Sequence, residues 1–103
     1  MRNMNDILRQ AQVMQHKIAK LHQDAAVKTF EATSGGGMVT AVVTGKQELK
    51  TLTIDPKAME GGDVEMLQDL VIAAVNEANR IARESLEREM SNISGGIRLP
   101  GVF

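Results

Sequence analysis

An α+β fold is predicted by two features of the sequence: amphipathic helical stretches at both ends of the chain, and between them Val- and Thr-rich segments separated by glycines. The expected architecture is a long N-terminal helix, a three-stranded antiparallel meander and a long C-terminal helix. At 103 residues the chain has the length of one domain, small enough that a partner subunit would add usefully to its burial.

The first helix is predicted from apolar residues at Met4, Ile7, Ala11, Met14, Ile18, Leu21 and Ala25, spaced alternately by three and four. It should run from about Asn3 to Ala25, roughly 34 Å, with Asn3 or Asn5 as its cap. Val27 to Thr33 and Met38 to Thr44 then read as a hairpin around Ser34-Gly35-Gly36-Gly37, whose glycines supply positive φ. A second turn, with Gly45 as its glycine in Gly45-Lys46-Gln47, leads to a third strand over Glu48 to Ile54. Alternation places Val39, Ala41 and Val43 on one face, which can receive the helices, and Thr40, Val42 and Thr44 on the other.

Asp55-Pro56 ends the sheet, because proline cannot donate to a strand ladder, and Asp followed by Pro can open a helical turn. From Asp63 to about Asn92 a wide apolar band predicts the second long helix, with LVIAAV at its middle buried nearly all round. Arg80 with Glu84, Arg83 with Glu87 and Glu84 with Arg88 are expected as i,i+4 pairs on its outer face. Ser94 to Phe103 has breakers on both sides of a short apolar stretch. The expected organisation is a single domain over 1–93 and a flexible C-terminal tail over 94–103.

A helix from Asp63 to Asn92 would be about 45 Å long, whereas a compact chain of this length is about 34 Å across. A three-stranded sheet, about 14 Å wide, cannot cover the stripes of two such helices. A second copy is the simplest cover, with Leu70, Val71, Ala74, Val75 and Ala78 as the expected homodimer interface. The alternative is a monomeric hairpin whose two helical stripes cover each other.

Composition narrows the function. There is no cysteine, which excludes disulfides and thiolate chemistry and fits a cytoplasmic location. No signal-like or membrane-spanning run occurs, so a soluble protein without a membrane partner is expected. The net charge is −1, and the aromatic residues are Phe30 and Phe103 alone, which argues against a single-strand binder built on base stacking. His16 and His22 fall on different helix faces and make no metal pair. Asp55 reads as a cap, and Ser34 to Gly37 reads as a turn, since no GxxxxGK follows. No GxSxG or HExxH is present. No enzyme activity, cofactor, metal or small-molecule substrate is expected.

The order of elements, with particular residues, resembles the YbaB/EbfC family of nucleoid-associated DNA-binding proteins. The resemblance is carried by Ile7-Leu8-Arg9-Gln10-Ala11-Gln12-Val13-Met14 followed by Ile18, by Gly35-Gly36-Gly37-Met38-Val39, and by Ile54-Asp55-Pro56. It continues in Glu65-Met66-Leu67-Gln68-Asp69-Leu70-Val71, Ala73-Ala74-Val75-Asn76-Glu77-Ala78, and Gly95-Gly96 to Leu99-Pro100-Gly101. It implies a tweezer-like homodimer with projecting helix ends, binding double-stranded DNA with limited sequence preference and located at the nucleoid. The glycine- and lysine-rich leader of many members is represented here by Met1-Arg2-Asn3.

Under that reading the DNA-contacting candidates are Arg2, Arg9, Lys17 and Lys20, which outnumber Asp6 and Asp24 on the first helix. Arg80, Arg83 and Arg88 rank second, being set among seven acids between Asp63 and Asn92. The alternative function is a protein-interaction adaptor in recombination or DNA repair, because a heptad stripe also recruits partner helices.

Overall fold

A computed structural model describes residues 3–94. Its order is helix α1 (Met4–Val27), strands β1 (Thr29–Ser34), β2 (Val39–Thr44) and β3 (Leu49–Ile54), and helix α2 (Val64–Ser94). The strands form one antiparallel sheet in the order β1-β2-β3, so the α+β meander expected from the sequence is the fold observed. Arg2 and residues 95–103, most of the segment read as a tail, lie outside the described residues; Ser94 is helical and buried.

Local chemistry sets each boundary. The Asn3 side chain accepts from the Asp6 N–H at 2.9 Å and caps α1, and Asp63 accepts from the Met66 N–H at 3.0 Å at the start of α2. Asp55 accepts from the Lys57 N–H at 2.9 Å ahead of the helical turn Pro56–Met59. Gly35, Gly36 and Gly37 all have positive φ, as the tight reversal between β1 and β2 requires.

The turn expected at Gly45-Lys46-Gln47 is present, and Gly45 does more than reverse the chain. The positive φ of that turn belongs to Gln47, at 64°. Gly45 is instead a point of close approach: its N–H donates to the Ala25 carbonyl at 2.8 Å, and a Cβ there would lie 2.6 Å from the same oxygen. The turn thereby fastens the end of α1 to the sheet, and the Gln47 side chain donates to the Asn79 carbonyl at 3.2 Å and ties it to α2 as well.

The core lies between α2 and one face of the sheet. Val39, Ala41 and Val43 alternate along β2 and are fully buried beneath Ala74, Ala78 and Ala82, one small residue per turn of α2. Small side chains on that line bring the helix axis close to the sheet. At its start, α2 is held by the Ser34 hydroxyl, which donates to the Leu70 carbonyl.

Two expectations are corrected by this packing. LVIAAV is not buried all round, since Ile72 is 57% exposed and Ala73 faces solvent. Among the expected interface residues, Ala74 and Ala78 are enclosed by the chain's own sheet and have no surface left for a partner. Leu70, Val71 and Val75 are half-buried against the same core. A band that seemed too long for one domain meets its own sheet first.

The molecule is elongated, with extents of 71 × 20 × 18 Å and a radius of gyration of 19.3 Å, against about 13 Å for a compact chain of this size. The length comes from the helices: α1 runs toward the sheet, α2 runs away from it, and both extend beyond its edge.

Candidate nucleic-acid interface

α1 carries three exposed cations. Arg9, Lys17 and Lys20 are all exposed and form no ion pair with any described residue. At about 100° per residue, Arg9 projects from the side of α1 opposite its apolar stripe, whereas Lys17 and Lys20 stand at the rim of the groove between α1 and α2.

A fourth cation, Lys28, joins them. Lys28 follows α1 and is eleven residues, or three helical turns, beyond Lys17. Its ammonium pairs with Glu89 at 3.2 Å and lies 5.5 Å from the centre of the Phe30 ring. Lys17, Lys20 and Lys28 rim a groove of about 350 Å³ between α1 and α2, with Leu21, Ala25 and Leu86 among the apolar residues lining it. The period that marks the apolar stripe of α1, continued three residues past Ala25, reaches Lys28.

The arginines of α2 differ among themselves. Arg80 is held by two acids, donating from Nε to Glu77 at 3.0 Å and from Nη1 to Glu84 at 2.8 Å. Hydrogen bonding to Arg80 holds the Glu77 carboxyl below its ordinary range, and the same bonds raise the guanidinium further, so the cluster stays charged at neutral pH. Arg83 and Arg88 were expected in similar pairs, but both are exposed and form no ion pair among the described residues. They are the free cations of α2, whereas Arg80 has little charge to offer a ligand.

Among the described residues no group of three or more His, Asp or Glu is placed to hold a metal ion, and no helix is long and apolar enough to cross a membrane.

The site defines a class: a small α+β protein that presents, on a projecting helix, cations with no ion pair among the described residues. The chain belongs to the YbaB/EbfC DNA-binding family, whose pattern it matches over residues 1–97. It is 48% identical over 101 residues to a nucleoid-associated protein of Thermoanaerobacter pseudethanolicus, covering 98% of this chain and 91% of that one. It is 51% identical over 102 residues to a nucleoid-associated protein of Ruminiclostridium cellulolyticum, covering 98% and 89%. The fold matches the crystal structure of an uncharacterized protein from Helicobacter pylori with a TM-score of 0.79, at 24% identity, over 92% of this chain and 100% of that one.

Proposed function

We propose that the protein is a homodimeric, nucleoid-associated, non-enzymatic DNA-binding protein that engages double-stranded DNA with little sequence preference and so influences nucleoid organisation or gene expression. The observation that carries this reading is the set of unpaired cations on α1, in a chain whose net charge is only −1. Such a chain can attract a polyanion only through a local positive face, and phosphate contacts made by lysine and arginine carry no sequence information. The names of its relatives support the nucleoid as its location. Titration against unrelated duplexes of equal length tests the lack of preference: affinities within a few-fold of one another are expected, and one duplex bound more than about tenfold tighter would contradict it.

The homodimer is supported by an incomplete cover on the sheet. α2 lies across β1 and β2, and β3 extends the same apolar face beyond it. Leu52 pairs with Ala41 and Leu49 with Val43, so both point toward the helix side, yet they are 38% and 50% exposed. Ile72 on the flank of α2 is 57% exposed beside Ile54, Leu67 and Val71. This vacancy beside α2 suits the matching helix of a second copy related by two-fold symmetry. Leu52→Glu should therefore yield a folded monomer near 11.2 kDa by light scattering, against twice that mass for the unaltered chain. A monomeric unaltered chain at tens of micromolar would exclude this interface.

The adaptor role in recombination or repair stands as the second reading, because Met4, Ile7 and Leu8 at the outer end of α1 are at least 50% exposed and could receive a partner helix.

A further inference from the structure

The three lysines of the groove between α1 and α2 differ in what holds them. Lys17, Lys20 and Lys28 rim the groove together with the acids Asp24 and Glu89. Lys17 and Lys20 form no ion pair with any described residue. The Lys28 ammonium is shared between the Glu89 carboxylate, at 3.2 Å, and the Phe30 ring, whose centre is 5.5 Å away.

These two partners act differently. Phe30 belongs to β1 and packs against the buried cluster beneath α2, so its ring is a fixed surface, and a cation over an aromatic ring keeps its full charge. Glu89 stands on α2 across the groove. The lysine and glutamate side chains are 49% and 42% exposed, so water screens their attraction and the pair is weak. The ring positions the ammonium, and the carboxylate neutralises it.

Position gives that neutralised ammonium its meaning. Lys28 caps α1, eleven residues beyond Lys17, so the two ends of the lysine row are about 16 Å apart along the helix. A duplex carries one phosphate charge about every 1.7 Å of its axis, and a row of that length faces several of them. For a polyanion seated on the row, Glu89 is unfavourable twice over: its carboxylate repels phosphate, and it holds the ammonium that phosphate would use.

Building on the duplex-binding reading above, we propose that Lys28 is a further phosphate ligand of this groove and that Glu89 is its built-in competitor. Glu89 gives up the ammonium when a duplex is seated, and the affinity is lower than the lysines alone would give. Because the pair is exposed and weak, exchanging carboxylate for phosphate requires no rearrangement of either helix.

Titration with one duplex at a fixed, moderate salt concentration tests this in five chains: unaltered, Glu89→Gln, Lys28→Gln, the double variant, and Glu87→Gln as a control. Glu89→Gln is expected to tighten binding about three- to tenfold, and Lys28→Gln to weaken it by a similar factor. In the Lys28→Gln background the gain from Glu89→Gln should shrink to about twofold or less, because the ammonium it would release is gone. Glu87→Gln removes the same charge two residues away, outside the groove, and should change affinity less than about twofold. Melting temperatures of all five should agree within a few degrees, since the altered side chains are exposed or nearly so. A Glu89→Gln chain that binds no tighter than Glu87→Gln, or that keeps its whole gain without Lys28, would overturn the proposal and leave duplex binding itself intact. Absence of duplex binding by all five chains at low salt would overturn both.

Discussion

Changing Arg9, Lys17 and Lys20 together to glutamate is expected to weaken duplex binding by about two orders of magnitude or more at moderate salt, equally on unrelated sequences. These side chains are exposed and free of ion pairs, so their charge is available to phosphate, and reversal replaces attraction by repulsion in both subunits of the proposed dimer. None of the three is buried in the core, and dichroism and light scattering should report an unchanged fold and mass. Arg80→Glu is the informative comparison, because Glu77 and Glu84 already neutralise that guanidinium. Its effect on binding should be small. If Arg80→Glu abolished binding while the triple variant bound normally, the interface would belong to α2.

Ala78→Glu is expected to abolish stable folding. Ala78 has no exposed surface and sits on the line of small residues that holds α2 against Val39, Ala41 and Val43. A carboxylate there would be larger than the space and would lack a partner, and an uncompensated buried charge costs about 3–5 kcal/mol. Overpacking adds about 1–3 kcal/mol, and the combined loss of about 4–8 kcal/mol removes most or all of the margin of a domain in the lower half of the usual range of roughly 5–15 kcal/mol. Ala73→Glu makes the same chemical change on the exposed side of the same helix and should melt within a few degrees of the unaltered chain. Equal melting temperatures for the two variants would mean that α2 does not pack on the sheet through the Ala74, Ala78 and Ala82 line.

Periodicity made the elements legible. The three-and-four spacing from Met4 to Ala25 marks α1, and the alternation at Val39, Ala41 and Val43 marks the buried face of β2, because both patterns record one-sided burial directly. Caps at Asn3 and Asp55 were equally readable, since a side-chain acceptor before a helical turn has a local function. Tertiary facts were less accessible. Periodicity shows that Ala74 and Ala78 are buried but not against what, so a band assigned to a partner proved to rest on the chain's own sheet. The purpose of Gly45 depends on the approach of Ala25, a residue distant in sequence, and a turn-type argument cannot reveal it.

The candidate site was legible as composition more than as arrangement. Arg9, Lys17 and Lys20 could be placed on one helix from the sequence. Which arginines of α2 are neutralised depends on rotamers, and i,i+4 spacing predicted three pairs where only the Arg80–Glu84 pair forms, joined by Glu77 one turn away on the other side. Lys28 falls within reach of the same helical period, but its pairing with Glu89 and the Phe30 ring, which come from other elements, could not be read from spacing.

The salt dependence of duplex binding by the unaltered protein tests the central claim most directly. If Arg9, Lys17 and Lys20 of two subunits contact phosphates, the logarithm of affinity should fall linearly with the logarithm of salt concentration, with a slope approaching about −5 and the same on unrelated duplexes. Absence of duplex binding even at low salt, or an affinity that salt leaves unchanged, would contradict the account and favour the adaptor reading.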